Sequence, residues 1–282
     1  MKVWLNGSLV DARDARIDPA DRGFLLGDGL FETMLALHGH PVFAGAHMLR
    51  LKAGAELIGL PLPYAPDTIE AACAEVLEAN GLDAVPRASL RVTVTRGPGP
   101  RGLALPPEPK PTMLVSCAVA GAPPARLSLA TATPRRNPWS PSARIKALPY
   151  LDNLLAKEEA REKGADDALI LSTNGAIACT SAANIFLWED GKLVTPSVSC
   201  GILPGITRAA LLELAPDIGI EVVEEEISPA RLARISGAFV TNSLMGLVPV
   251  DRIDGQNVPA HPMTARLAAA YELLLDAADE ED

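Results

Sequence analysis

The 282-residue sequence has no excess of basic charge and no long apolar run. Its formal net charge is −10, whereas a nucleic-acid-binding protein normally presents a basic face, so we expect no nucleic-acid partner. No segment approaches the roughly 18–20 apolar residues that a membrane-spanning helix needs. The first ten residues, MKVWLNGSLV, are typical of a strand and a polar turn and lack the apolar core of a signal peptide. We therefore expect a soluble, cytoplasmic protein without a membrane partner.

Cysteine is also scarce, and its spacing is uninformative for metal or disulfide chemistry. The four cysteines are Cys73, Cys117, Cys179 and Cys200, and no two of them form a CxxC pair. Neither a zinc site nor a disulfide framework is indicated, so we expect no metal. Hydrophobic residues make up 48% of the chain and charged residues 21%, which favours a folded core over disorder. This length allows one large domain or two of ordinary size.

Hydrophobic periodicity predicts two regions of mixed helix and strand. The segment AGAPPAR, residues 120–126, is predicted to be a linker because prolines and small residues end one β region before another begins. In the first region, a helix at about 45–58 is predicted with an apolar stripe at Ala46, Leu49, Ala53 and Leu57. In the second region, Asn174-Gly175 and Asp190-Gly191 are two-residue hairpin signals. No internal repeat is evident.

Lys146 lies in an apolar setting just before a predicted helix. Its neighbours are Ile145, Ala147 and Leu148, and poor solvation of the amine would lower its pKa and leave it neutral and nucleophilic. A Schiff base with an aldehyde cofactor requires such an amine. The alternative is an ordinary lysine that extends its charged end into solvent at a helix start. This segment alone does not decide between them.

Three further features suit an anionic ligand. Arg50 lies between two leucines of a predicted helix, where it is either exposed or partly buried against an anion. In SCGILPGITRAALLELA a glycine and proline loop opens into a predicted helix whose start carries Gly205, Ile206 and Thr207, and the free N–H groups of a helix start favour a phosphate. A predicted strand also stops at the polar pair Thr241 and Asn242. The loop does not match the ATP- and GTP-binding pattern GxxxxGK[ST].

Four motifs in this order resemble the class IV aminotransferase family, the fold-type IV pyridoxal-phosphate enzymes. They are DRGFLLGDGLFET, HMLRL, IKALPYLDNLLAKEEA and LPGITRAALLELA, and the match extends from the first hairpin to about residue 254. The resemblance implies an α+β, two-domain fold like that of D-amino-acid aminotransferase. We expect a smaller N-terminal domain at residues 1–119 and a larger cofactor-binding domain at residues 127–282. It also implies a homodimer whose partner subunit completes the substrate pocket.

The resemblance assigns roles to individual residues. It implies that Lys146 forms the Schiff base with pyridoxal 5'-phosphate and then moves the α-proton. Arg50 would bind the cofactor phosphate, and further donors would come from the 205–207 turn and from the strand end at Thr241 and Asn242. Tyr150 resembles the tyrosine that approaches the phenolic oxygen of the cofactor.

The sequence departs from the family at Cys179. Relatives carry a glutamate five residues before the asparagine of this segment, where it pairs with the pyridine nitrogen, and counting back from Asn184 reaches Cys179. A thiol has an ordinary pKa of about 8.5 and holds a proton on that nitrogen far less well. The hypothesis is a mostly unprotonated ring, which disfavours transamination more than β-elimination. Alternatively, a neighbouring group or water substitutes for the glutamate, or the enzyme is slower.

Subfamily motifs favour 4-amino-4-deoxychorismate lyase, which eliminates pyruvate to give 4-aminobenzoate for folate synthesis. GDGLFETM and TNSLMGLVPV are similar to the lyase versions of these segments. Arg101 matches a substrate-carboxylate arginine of D-amino-acid transaminases, but their histidine and tyrosine are Leu103 and Phe31 here. Against the lyase, its motif often has an arginine at Met245 and a tyrosine at Leu103. A transaminase of D- or branched-chain amino acids, and a cofactor-binding protein impaired at Cys179, remain alternatives.

Overall fold

The chain folds into two compact units. The computed structural model describes residues 1–280, and the side chains of residues 1–275. One unit contains Met1–Ala122 and Ile145–Pro149, and the other contains Pro123–Arg144 and Tyr150–Ala277. The short segment that carries Lys146 therefore belongs to the first unit. The domain boundaries and the linker at residues 120–126 stay predictions.

The first unit is built on a six-stranded antiparallel sheet. Its strands are β1 (Lys2–Leu5), β2 (Ser8–Asp11), β3 (Gly29–Leu37), β4 (His40–Pro41), β5 (Arg87–Thr95) and β6 (Thr112–Val119). Its helices are α1 (Arg22–Leu26), α2 (Ala44–Leu57) and α3 (Pro66–Ala79). The strand order is β2-β1-β6-β5-β3-β4, so β3 pairs along its whole length with β5. The strand and polar turn predicted for the first ten residues form the β1–β2 hairpin, and Asn6 and Gly7 both have the positive φ that its two-residue turn requires.

The predicted apolar face of α2 is wrong. Ala46, Leu49, Ala53 and Leu57 are all exposed, whereas His47, Met48, Leu51, Gly54 and Ala55 are buried. The helix packs against β3, where a Cβ at position 54 would lie only 3.2 Å from Leu30 Cδ1. This close approach selects the face with the small residue, and hydrophobicity alone does not identify it.

The second unit is built on a nine-stranded mixed sheet. Its strands are β7 (Leu127–Arg136), β8 (Asp167–Ser172), β9 (Ile177–Thr180), β10 (Asn184–Glu189), β11 (Lys192–Pro196), β12 (Val222–Glu225), β13 (Gly237–Asn242), β14 (Gly246–Ile253) and β15 (Gln256–Asn257). Its helices are α4 (Leu151–Glu162), α5 (Ile206–Asp217) and α6 (Pro262–Glu280). The main path is β12-β11-β10-β13-β14-β7-β8-β9, and β15 pairs with β14. The hairpin predicted at Asp190-Gly191 is confirmed by the antiparallel pair β10–β11. β8 and β9 also pair antiparallel around Asn174-Gly175, but the predicted two-residue turn is wrong there, because Asn174 lacks a positive φ and Ser172 N donates to Ala176 O across a longer turn.

Within the described residues, no helix combines the length and the apolar character that crossing a bilayer requires. The four cysteines are buried free thiols.

Candidate active site

Lys146 lies beside β3 in the first unit. Its carbonyl accepts a hydrogen bond from Phe31 N at 2.9 Å, and Leu148 N donates to Gly29 O at 3.0 Å. These bonds hold the segment that carries Lys146 along the strand. The Lys146 Nζ lies 4.5 Å from the centroid of the Phe31 ring, so an aromatic face covers one side of the amine.

The environment lowers the pKa of Lys146 to about 8. Burial is the main cause, because it disfavours the charged amine, and the positive charges of Arg50 and Arg91 act in the same direction. The Glu32 carboxylate opposes them. At neutral pH roughly a tenth of the molecules therefore carry the neutral amine that attacks an aldehyde, far more than for a lysine of ordinary pKa.

The lowered pKa predicts the pH range in which the Lys146 amine reacts. We expect the rate at which the apoprotein condenses with pyridoxal phosphate to rise through a midpoint at about pH 8, instead of near the ordinary value of 10.5. Between these values the folded apoprotein binds fewer protons at Lys146 than the unfolded chain, so this group's contribution to stability rises with pH. Stopped-flow absorbance measures the rate, and a midpoint above pH 10 would contradict the burial argument.

Glu32 links Arg50 to a buried histidine. Arg50 donates to both carboxylate oxygens, from Nε at 2.9 Å and from Nη2 at 2.6 Å. His47 Nδ1 lies 2.7 Å from Glu32 Oε2. Although burial opposes ionisation, hydrogen bonds from Arg50 and His47 hold the pKa of Glu32 below its usual value, so it is an anion. Arg50 is thus partly buried and oriented, and the exposed alternative is excluded.

Arg91 is the second arginine near Lys146. It lies on β5, and its Cζ is 3.8 Å from the centroid of the Phe31 ring. Its Nε donates to Thr93 Oγ1 at 3.2 Å. Arg91 and Lys146 therefore both contact the aromatic ring of Phe31, and this side of the first unit combines two cationic groups with an apolar surface.

In the second unit, the start of α5 is next to the end of β13. Thr241 pairs with Asn184 in the β10–β13 register. Asn184 donates from Nδ2 to Leu203 O at 3.0 Å, and a Cβ on Gly205 would lie 2.1 Å from Asn184 Oδ1. Only glycine fits at position 205. Asn184 therefore connects the strand end to the helix start.

Two buried hydroxyls at this place lack an internal partner. The Oγ1 atoms of Thr207 and Thr241 have no hydrogen-bond partner among the residues that the structure describes. Each residue is 1% exposed. A buried unpaired hydroxyl is costly, and a helix N-terminus favours negative charge, so the site fits a bound anion.

Cys179 lies on β9 within an apolar cluster that includes Ile170, Cys200 and Ile202. Burial raises the pKa of its thiol to about 11, and the charge of Arg136 opposes this shift. The group is a neutral thiol at neutral pH. No ionised side chain therefore stands at this position.

The structure also gives the positions of three other residues that the sequence predicted for the site, Tyr150, Asn242 and Arg101. Tyr150 is the half-buried residue that precedes α4. Asn242 accepts from Leu244 N at 3.0 Å and from Met245 N at 2.8 Å, so its side-chain oxygen stabilises the turn after β13. Arg101 is exposed in the loop between β5 and β6. The arginines whose charges act on Lys146 are Arg50 and Arg91.

A sequence model of the family described as Amino-transferase class IV matches residues 29–253. The chain belongs to this family. It is 35% identical over 91% of its length, and 89% of the relative's, to a putative branched-chain-amino-acid aminotransferase from Methanocaldococcus jannaschii. It is 30% identical to the aminodeoxychorismate lyase of Bacillus subtilis, with 90% of this chain and 87% of the relative covered. It is also 30% identical to the D-alanine aminotransferase of Listeria innocua, with 95% and 93% covered.

Solved structures agree with the family and the fold. The branched-chain aminotransferase from Thermoproteus uzoniensis, determined with norvaline, has a TM-score of 0.92 at 28% identity, covering 100% of this chain and 96% of that one. The T.th. branched-chain aminotransferase in complex with N-(5'-phosphopyridoxyl)-L-glutamate has a TM-score of 0.90 at 27% identity, covering 98% and 94%. The predicted fold class is therefore confirmed. This class IV aminotransferase-family chain is a pyridoxal-phosphate enzyme.

The residues present fit that cofactor. In the second unit, the orphaned hydroxyls of Thr207 on α5 and Thr241 on β13 suit a phosphate. In the first unit, the Lys146 amine with its lowered pKa suits an aldehyde.

Sequence reasoning did not single out four residues that the structure places beside the candidate site residues: Glu32, His47, Arg91 and Asn184. Glu32 lies in the motif DRGFLLGDGLFET and His47 in the motif HMLRL, so their positions in the sequence could have identified them as site candidates. Arg91 occupies an exposed position of an alternating strand, where an arginine is ordinary. Only the pairing of β5 with β3 places it over Phe31.

Proposed function

We propose that this enzyme is a 4-amino-4-deoxychorismate lyase. The observation that carries the proposal is the buried neutral thiol of Cys179, at the position where the family resemblance implies an ionised glutamate. The aminodeoxychorismate lyase among the relatives supports the same assignment. The substrate class is an amino compound that carries a carboxylate.

In this proposal the cofactor supplies the reactive groups, and side chains of the protein bind its phosphate. Pyridoxal phosphate, when bound, supplies an aldehyde that condenses with amines and a ring that takes up carbanion charge. Arg50 binds the phosphate, since its guanidinium is held rigidly by Glu32. In the second unit, the otherwise unpaired hydroxyls of Thr207 and Thr241 are available to donate to a phosphate group.

Lys146 carries the proton. Displaced by the substrate amine, its neutral Nζ removes the proton from the carbon that bears that amine. The carbon–oxygen bond to the pyruvyl group then breaks, the six-membered ring of the substrate becomes aromatic, and pyruvate leaves as its enolate, which takes up the proton held on Lys146 Nζ. Aromatisation supplies driving force, so the reaction needs less charge uptake by the pyridine ring than a transamination does.

Arg91 binds a substrate carboxylate in this proposal. Its guanidinium lies over the same ring as Lys146 Nζ, and its charge acts on Lys146. The positive charges of Arg50 and Arg91 exceed the single negative charge of Glu32, which favours an anionic substrate. Arg101, the residue predicted from the sequence for this role, is the competing candidate.

A substitution at Cys179 tests the link between the thiol and the reaction. We expect Cys179→Glu to raise the rate of the half-reaction with an amino donor several-fold, because a carboxylate there would hold a proton on the ring nitrogen. Rapid-scanning absorbance follows the conversion, and Cys179→Ala is the neutral control that should gain nothing. Equal rates in the glutamate and alanine variants would refute this account of position 179.

The second candidate is an amino-acid transaminase, favoured by the names of the M. jannaschii and L. innocua relatives. A panel of substrates separates the two functions. For the lyase we expect 4-aminobenzoate and pyruvate in equal amounts from aminodeoxychorismate, and little conversion to the pyridoxamine form with amino donors. Stoichiometric pyridoxamine formation with a common L- or D-amino acid, and no 4-aminobenzoate, would establish the transaminase instead.

We also propose a cytoplasmic homodimer. On α4, the apolar residues Leu151, Leu154 and Leu155 point outward, whereas Asn153 and Ala156 are buried. Monomeric proteins rarely expose apolar clusters of this kind, and a second copy of the chain would cover it. Sedimentation equilibrium tests this assembly, and a monomer at micromolar concentration would contradict it.

A further inference from the structure

His47 is a buried titratable residue that takes no part in the chemistry above. We propose that His47 is a positioning residue, which acts through Glu32 to hold the Arg50 guanidinium in the orientation that binds the cofactor phosphate. The inference rests on the proposed phosphate-binding role of Arg50. It assigns a function to a histidine that has no role in the chemistry proposed above.

The geometry provides a continuous chain of contacts. His47 and Arg50 lie on α2, three residues apart and therefore on neighbouring positions of the helix surface. Glu32 lies on β3 directly opposite them. Its Oε2 is 2.7 Å from His47 Nδ1 and 2.6 Å from Arg50 Nη2, so the two helix residues share one oxygen. Its Oε1 accepts from Arg50 Nε at 2.9 Å.

Burial makes the hydrogen-bonded cluster of His47, Glu32 and Arg50 rigid, and its geometry depends on each of the three side chains. His47 and Glu32 are each 1% exposed. A buried carboxylate needs several donors, since water does not replace a missing one. Without the His47 donor, Glu32 would rotate toward other partners and lose its two-point hold on Arg50. A long side chain without that hold samples several rotamers, only some of which bind the phosphate.

The protonation state of His47 is consistent with a donor role. Burial lowers its pKa, and the nearby charges of Arg50 and Lys146 act in the same direction, whereas Glu32 opposes them. A neutral imidazole bonded to an ionised carboxylate carries its proton on Nδ1. The groups that face this cluster are Glu32 from β3, Arg50 from α2, and Lys146 from the segment beside β3.

The test compares pyridoxal phosphate with pyridoxal, which condenses with Lys146 in the same way but has no phosphate. The holoenzyme is stripped of cofactor, and the dissociation constant of each compound is measured by absorbance titration. We expect His47→Leu to weaken pyridoxal phosphate binding on the order of 10- to 100-fold and to leave pyridoxal binding unchanged. His47→Asn should restore binding to within about threefold, because the Asn amide nitrogen stands the same number of bonds from Cα as Nδ1.

Arg50→Ala separates the failure of the inference from that of the function proposed for Arg50. We expect Arg50→Ala to lower the affinity for the phosphorylated compound alone, and His47→Leu to add little in that background. If Arg50→Ala affects both compounds equally, Arg50 is not the phosphate ligand and both proposals fail. If Arg50→Ala is selective but His47→Leu weakens both compounds equally, His47 is structural and only the inference is overturned. Additive losses in the double variant would overturn it as well.

Discussion

Lys146→Ala should lower turnover by on the order of 10³-fold or more, the largest effect expected from a single substitution in this enzyme. The variant loses both the amine that attaches to the cofactor and the base that moves the substrate proton. Borohydride treatment of the cofactor-loaded protein should label residue 146 in the wild type and leave the variant unlabelled. Peptide mapping by mass spectrometry identifies the labelled residue.

A matched lysine controls for the loss of a charge. Lys52 is exposed on α2 in the same unit. Lys52→Ala should keep wild-type turnover and wild-type labelling at Lys146. If Lys146→Ala retained more than a tenth of the activity, or if borohydride fixed the cofactor elsewhere, the active site proposed here would be wrong.

Arg91→Met should reduce kcat/KM by on the order of 100-fold, mainly through a higher KM. A carboxylate that is bound in a partly apolar site loses its charge-assisted partner, and methionine keeps much of the side-chain volume over the Phe31 ring. Steady-state kinetics with aminodeoxychorismate measure the effect. The substitution also removes a positive charge near Lys146, so the pKa of that amine should rise above its wild-type value of about 8.

Arg101→Met is the control for this prediction, because Arg101 is the carboxylate ligand predicted from the sequence. We expect this variant to change kcat/KM by less than about threefold, as is usual for an exposed residue. A larger loss in Arg101→Met than in Arg91→Met would reverse the assignment and return the role to the loop between β5 and β6.

Features governed by local sequence were predictable. The Asp190-Gly191 hairpin depends on two adjacent residues that accept positive φ, and this pair is evident from the sequence alone. The apolar neighbours of Lys146 indicated a lowered pKa, and burial lowers it to about 8. The Gly205 turn before α5 indicated an anion site, where two buried hydroxyls lack partners among the described residues.

Features that depend on pairing between distant segments were not predictable in the same way. The buried face of α2 was assigned wrongly because its contact with Leu30 of β3 selects a small residue, Gly54, over the larger Leu49 and Leu57. Arg91 was passed over because an arginine at alternate strand positions normally faces solvent.

The amino-acid sequence by itself determined the family and the cofactor and predicted the lysine, since these depend on short motifs whose chemistry is carried by adjacent residues. The tertiary structure decided which charges surround that lysine. The antiparallel register of β3 and β5 places Arg91 over Phe31, and the packing of α2 on β3 joins His47, Glu32 and Arg50. The physical reason is that electrostatic interactions depend on distance in space, and residues far apart in the chain become neighbours only when the sheet forms.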